Sequence, residues 1–259
     1  MIRKIKEWFS QNDDLVIRKV KINVFHSIYL VFFDTLINQD KINDYILKKI
    51  TNVDKLNNFE NEVPSTNVKK IKYEDIEYYL YNGFTVVINE NKIYAVETRA
   101  SLDRGISVNE IEPSLKGPRN AFIENYQTNL GLIKRRIKTS NLKCKNLDIG
   151  RISKTKVGIL YIEGITKESL VEKCYERLKN VDIDFINDSE NLKKYLTESK
   201  HFPTIIATER PDRCAKSLCE GKIVLLANDS PTALILPAFF IDFINPFSDD
   251  YTKDFNINV

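Results

Sequence analysis

The apolar positions along this chain change period repeatedly, and each change marks an element. Ile2, Ile5, Trp8 and Phe9 fall on one side of a short amphipathic helix over 2–10. Val20, Ile22 and Val24 alternate with Lys19, Lys21 and Asn23, as in a half-buried strand, and the more apolar run 26–33 continues as a second strand. The stretch "DTLINQDKINDYILKKI" (34–50) shifts to helical spacing, with Ile42, Tyr45, Ile46 and Ile50 on one face. Residues 51–70 are polar, Asn-rich and contain Pro64, and read as a loop. Tyr73 to Tyr81 reads as a helix stopped by Gly83. "FTVVI" and "IYAVETRA" follow as strands around a turn at 89–92, and a loop covers 101–115.

A helix is then predicted from Pro118 to about Ile137. Its stripe is Phe122, Tyr126, Asn129, Leu130, Ile133 and Ile137, and its basic end is Lys134, Arg135, Arg136 and Lys138. "KTKVGILYIEGI" (154–165) reads as a buried strand ending in a turn at Gly164. Leu170, Cys174 and Leu178 mark a helix, "VDIDFI" (181–186) a short strand, Ser189 to Leu196 a helix and "TIIATE" (204–209) a strand. Pro211 to Glu220 reads as a helix with Pro at its first turn and Gly221 past its end. "KIVLLA" (222–227), a turn at 228–231 and "ALILPA" (233–238) close the pattern.

This order contains a weak internal repeat. "LVFFDTLINQDKINDYILKK" (30–49) parallels "ILYIEGITKESLVEKCYERL" (159–178), with the turn acids Asp34 and Glu163 offset by 163 − 34 = 129. "YYLYNGFTVVINENKIYAV" (78–96) parallels "KSLCEGKIVLLANDSPTAL" (216–234), with Gly83 and Gly221 offset by 221 − 83 = 138. The expected fold is therefore α/β, with two related lobes, mixed or mainly parallel sheets, and a central helix joining them. The corresponding organisation is 1–115 for the first lobe, 116–138 for the connecting helix and 139–259 for the second lobe.

Composition narrows the function classes. Apolar residues make up 42% and charged residues 29%, which is a globular balance. Lys and Arg total 39 against 36 acids, a net charge of +3, which argues against a dedicated nucleic-acid binder. Cys144, Cys174, Cys214 and Cys219 lack zinc-ligand spacing, and His26 and His201 are the only histidines, so no metal is expected and a reduced, cytosolic setting fits. The N-terminus has no signal-peptide apolar core. The longest apolar run, "TALILPAFFIDFI" (232–244), is short and contains Pro237 and Asp242.

Catalytic constellations are not legible. Asp34 and Glu163 each follow a strand, but nothing brings them to a base, and the turn itself explains them. The eight glycines form neither GxGxxG nor a P-loop, and no GxSxG occurs, so neither an enzyme nor a cofactor is expected. Two places remain as candidate interface or ligand contacts. One is "ATERPDR" (207–213), where Glu209, Arg210, Asp212 and Arg213 gather at a strand-to-helix junction. There the residues form either a capped helix with a local Glu/Arg pairing or a fixed charged site for a partner or ligand. The other is the predicted central helix: Arg119 near its start, Asn129 interrupting its stripe, and Lys134, Arg135 and Arg136 at its basic end, which suits the helix dipole and could also meet anionic headgroups.

Several ordered blocks resemble the N-terminal domain of the A subunit of bacterial spore germinant receptors, the GerA family. They are "GPRNAFIENYQTNLGLIKRRIK" (117–138), "IGRISKTKVGILYIEGI" (149–165), "FPTIIATERPDRCAKSLCEGKIVLLANDSPTALILPA" (202–238) and "FFIDFINPFSDDY" (239–251). The resemblance is strong over roughly 115–251 and general before it. It implies a hydrophilic domain on the cytoplasmic side of the inner spore membrane, with the first membrane helix expected soon after Val259. It also implies B and C subunits and other A subunits as partners, small nutrients as the trigger, and no catalytic residues. A non-enzymatic domain coupling germinant sensing to the membrane complex is the expected function. The alternative is a germinant-binding module using a cleft between the lobes.

Overall fold

A computed structural model describes residues 1–22, 26–50, 63, 68–89, 92–101, 120–197 and 204–238. The chain forms two compact units. Unit 1 is Met1–Arg104 with Ile137–Ser140, and unit 2 is Gly105–Arg136 with Asn141–Val259.

Unit 1 begins with helix α1 (Ile2–Trp8), followed by β1 (Leu15–Lys21) and β2 (Ser27–Phe33). A continuous helical run, α2, consists of Gln39–Ile42, a π-helical turn Asn43–Leu47 and Lys48–Ile50. Asn38 caps it, its Oδ1 accepting from the backbone N–H of Asp40 and Lys41. After β3 (Val68–Lys70) come α3 (Ile76–Tyr81), β4 (Phe84–Asn89) and β5 (Lys92–Glu97). The sheet order is β1-β2-β4-β5-β3. One face buries Ile28, Leu30 and Phe32 of β2 with Ile42 and Ile46 of α2. On the other face, the rings of Phe9, Phe33 and Tyr81 pack together.

Unit 2 repeats this plan. Helix α4 (Tyr126–Lys134) precedes β6 (Leu142–Ile149), β7 (Thr155–Ile162), α5 (Glu168–Lys179), α6 (Lys193–Leu196), β8 (Ile206–Thr208), α7 (Pro211–Cys219), β9 (Ile223–Ala227) and β10 (Ala233–Leu236). The order β6-β7-β9-β10-β8 reproduces that of unit 1 strand for strand. Val157, Ile159, Ile223, Leu225 and Leu234 pack with Val171, Cys174 and Leu178 of α5 on one face, and α4 and α7 pack on the other. The two glycines of the repeat hold equivalent positions. Gly83 and Gly221 follow α3 and α7 with φ of +77° and +82°, beside the carbonyls of Leu36 and Ile165.

Four expectations are corrected. The sheets are not mixed or mainly parallel, because every ladder among the described residues is antiparallel. Strand–helix–strand alternation suggests parallel pairs only when the helix joins neighbouring strands. Here α2 leads from β2 to β3 and α3 leads from β3 to β4, and neither pair is adjacent. Residues 181–186 form no strand. Leu142–Ile149 is a strand that the periodicity hid, because its apolar phase slips from Leu142 and Cys144 to Leu147 and Ile149. Among the described residues of the helix predicted over 118–137, only Tyr126–Lys134 is helical. Its start is set by Asn125, whose Oδ1 accepts from the Thr128 N–H. The preceding segment is bonded elsewhere, with the Phe122 N–H donating to Glu209 O and the Asp229 N–H to Glu124 O.

Candidate functional site

The corner between β8 and α7 is the first place where the sequence concentrates charge. Pro211 fixes the first turn of α7, and Asp212 follows inside it. Arg210 is fully buried, with 1% of its surface exposed. Its guanidinium reaches Asp212, with Nη2–Oδ2 at 2.7 Å and Nε–Oδ1 at 3.3 Å, and its backbone N–H donates to Thr208 Oγ1. This two-point pairing compensates the burial of both charges. Glu209 and Arg213 are half-buried at the rim. The corner thus carries its ion pair inward and leaves Glu209 and Arg213 as its accessible charges.

Helix α4 contributes the second group. Asn129 is buried, and its amide clamps the segment that precedes the helix. Oδ1 accepts from the Ile123 N–H at 2.9 Å, and Nδ2 donates to Ile123 O and, at 3.5 Å, to Ser230 O. Tyr126 lies over Gly158 of β7, and its hydroxyl donates to Asn146 Oδ1 at 2.6 Å. Lys134 is entirely buried, whereas Arg135 is exposed. Arg136 is half-buried and donates to Leu132 O and to Asn120 Oδ1 at 2.8 Å. Arg119 lies outside the described residues. The chain then passes into residues 137–140 of unit 1. There Lys138 Nζ donates to Asn82 Oδ1, the Tyr81 hydroxyl to Thr139 O, and the Ser140 N–H to a Glu77 carboxylate oxygen.

The sequence reading missed a third place. In unit 2 the loop after β6 and the loop after α5 are laced together. The backbone N–H of Arg151 donates to Ile183 O, and those of Ile152 and Ser153 donate to Asp184 O. Arg151 Nε meets Asp184 Oδ1 at 2.8 Å and Asp182 at 3.5 Å, and the Ile186 N–H donates to Ser153 Oγ. On these fixed loops Ile152 and Phe185 are 77% and 64% exposed. The signal was partial: Phe185 continues the alternation of Val181 and Ile183 but is exposed, whereas Val181, Ile183 and Ile186 pack inward.

Among the described residues, no helix is long and apolar enough to cross a membrane. All four cysteines are free thiols, and only Cys219 is exposed.

The comparisons with known proteins agree with one another. The sequence model of the family described as Bacillus/Clostridium GerA spore germination protein matches residues 3–259. Spore germination protein GerQA of Bacillus cereus is 34% identical over 87% of this chain and 47% of its own length. Spore germination protein KA of Bacillus subtilis is 27% identical over 97% of this chain and 49% of its own length. The chain thus spans about half the length of these relatives. Among solved structures, the N-terminal domain of the A subunit of the Bacillus megaterium spore germinant receptor GerK3 matches with a TM-score of 0.66 and 30% identity, covering 92% of this chain and 94% of that one.

Proposed function

Because this chain belongs to the GerA family of spore germination proteins, we propose that it acts as the non-enzymatic N-terminal domain of a germinant receptor A subunit. In this reading it passes the nutrient signal to the rest of the receptor through protein–protein contacts. Its proposed partners are the B and C subunits and other A subunits, on the cytoplasmic side of the inner spore membrane. The observation that carries the reading is the pair Ile152 and Phe185. Large apolar side chains held out on hydrogen-bonded loops have no role in the core of their own unit, and such anchors are what interfaces use. Arg135, Glu209 and Arg213 are proposed as polar contacts beside such an interface, and Arg135 and Lys138 as contacts to anionic headgroups.

The test is the double substitution Ile152→Ser with Phe185→Ser in the full-length receptor. The expected result is a weakened germination response, or loss of co-purifying subunits, while the protein remains at normal abundance. Normal germination and normal subunit recovery would overturn the reading. The alternative, that the domain itself binds the germinant, predicts a rise in its melting temperature with millimolar nutrient. No shift with any germinant leaves the contact reading standing alone.

A further inference from the structure

The sheet of unit 1 ends on β1, which has a partner strand, β2, on one side only. The ladder between them fixes which backbone groups of β1 face outward. The Asp34 N–H donates to Asp14 O and the Ile22 N–H to His26 O, so the even-numbered residues of β1 bond to β2. The N–H and C=O groups of Ile17, Lys19 and Lys21 therefore point away from the sheet. Among the described residues, none of these groups has a hydrogen-bond partner. The strand is firmly seated, because Val16 and Val20 pack against the core and Lys19 Nζ stands 5.8 Å from the centre of the Tyr29 ring. We propose that the β1 edge is a docking site for an extended acidic segment of another protein chain, which adds a sixth strand to this five-stranded sheet.

Backbone groups supply the affinity of such an added strand, and side chains choose its sequence. Here the choice is made by charge. Arg18, Lys19 and Lys21 are exposed, and no ion pair among the described residues involves them. No acid offsets them locally. Strand β2 reads SIYLVFF, and residues 23–25, which lead to it, are Asn-Val-Phe. The acids just before β1 are Asp13 and Asp14, and Asp14 is buried and accepts from the Thr35 hydroxyl. A second copy pairing through its own β1 would gather two sets of these cations, and like charges across a ladder oppose pairing. Lysines on an edge keep like edges apart for this reason, and the same charges admit an acidic strand. Lys19 and Lys21 lie two apart and share one face, so acids at alternate positions of the incoming segment meet both. This surface belongs to unit 1 and does not depend on the receptor reading; its failure would leave the case for Ile152 and Phe185 intact.

The experiment titrates the purified chain with a blocked peptide, Thr-Val-Glu-Val-Glu-Val-Thr, and with its twin carrying Lys for Glu. Amide hydrogen exchange reads the position of binding. The acidic peptide is expected to bind about tenfold more tightly than the basic one and to protect the amides of Ile17, Lys19 and Lys21. Twins of the acidic peptide N-methylated at alternate residues keep the charge and lose one row of donors, and at least one of the two phases should abolish binding. Lys19→Glu with Lys21→Glu, at exposed positions, should reverse the preference between the peptides. Lys19→Pro removes one outward N–H and leaves the ladder to β2 intact, so it should weaken the acidic peptide; if that variant does not fold, the methylated peptides carry the same test. Equal binding of the two peptides, binding that survives methylation in both phases, or no binding up to millimolar peptide would each overturn the assignment. Protection of the three amides in the chain alone would overturn it, as would their protection only on dimerisation or only on vesicles of phosphatidylglycerol, since the edge would then have another occupant.

Discussion

Replacing Gly83 or Gly221 by alanine tests the idea that the two units repeat one design. Both residues have φ near +80° and sit where a helix turns back into the sheet. An L-residue pays about 1–2 kcal/mol in this conformation. The two sites then differ in their surroundings. At Gly221 an added Cβ would stand 3.2 Å from Ile165 O, a contact that a small shift relieves. At Gly83 it would stand 2.9 Å from Leu36 O and 3.0 Å from Arg99 Cγ, and the carbonyl belongs to a turn closed by the Leu36 N–H donating to Phe33 O. Overpacking of this kind adds about 1–3 kcal/mol. Gly221→Ala should therefore cost about 1–2 kcal/mol, lowering the melting temperature by about 3–6 °C, and Gly83→Ala about 2–5 kcal/mol. Urea unfolding can separate the units, because the single tryptophan, Trp8, packs against Phe9 and Tyr73 in unit 1. Gly83→Ala should shift the Trp8 fluorescence transition, whereas Gly221→Ala should shift mainly the far-ultraviolet signal. Asparagine tolerates positive φ, so Gly221→Asn should recover much of the loss, whereas Gly83→Asn should not, since its Cβ meets the same carbonyl. The reasoning is refuted if Gly83→Ala costs no more than Gly221→Ala, or if either changes stability by less than about 0.5 kcal/mol.

Three further outcomes follow from the packing. Asn129→Leu leaves both polar groups of Ile123 without their buried partner and should cost about 2–4 kcal/mol in urea unfolding. Asp212→Ala removes the carboxylate paired with the buried Arg210 guanidinium and should cost about 3 kcal/mol, with the double variant Arg210→Met, Asp212→Leu recovering a large part in a double-mutant cycle. Burial, helped by the Glu163 carboxylate, pushes the Tyr161 hydroxyl up to about 12. Because the folded value lies above the ordinary one near 10, its contribution to stability is complete below about pH 10 and lost as pH rises towards 12. Denaturant titrations from pH 9 to 12 should show Tyr161→Phe losing less stability than the parent over that window.

The repeat was legible because it rests on local constraints. A strand ending in a turn acid, and a helix stopped by glycine before the next strand, leave marks at fixed spacing whatever surrounds them. Strand direction was not legible, since it depends on where a crossover lands in the sheet, and nothing in the sequence of α2 or α3 encodes that. Adjacency at residues 207–213 suggests a Glu/Arg pairing, but the structure pairs Arg210 with Asp212. The orientation of that pair was not legible either, and the deepest charge proved to be Arg210 rather than a surface fork. Lys134 shows the same limit: it reads as the basic end of an amphipathic helix, yet α4 lies between β9 and α7 and buries nearly all of its circumference.

Residues 137–140 bear on how the chain acquires its fold during synthesis. Unit 1 is almost complete at Arg104, yet the acceptor of the Tyr81 hydroxyl, Thr139 O, comes 58 residues later. A nascent chain folding from its N-terminus therefore lacks the Thr139 and Ser140 partners of Tyr81 and Glu77 until after α4 has been made. A fragment ending near residue 104 would lack these contacts, so the first unit is assembled from two lengths of chain made at different times.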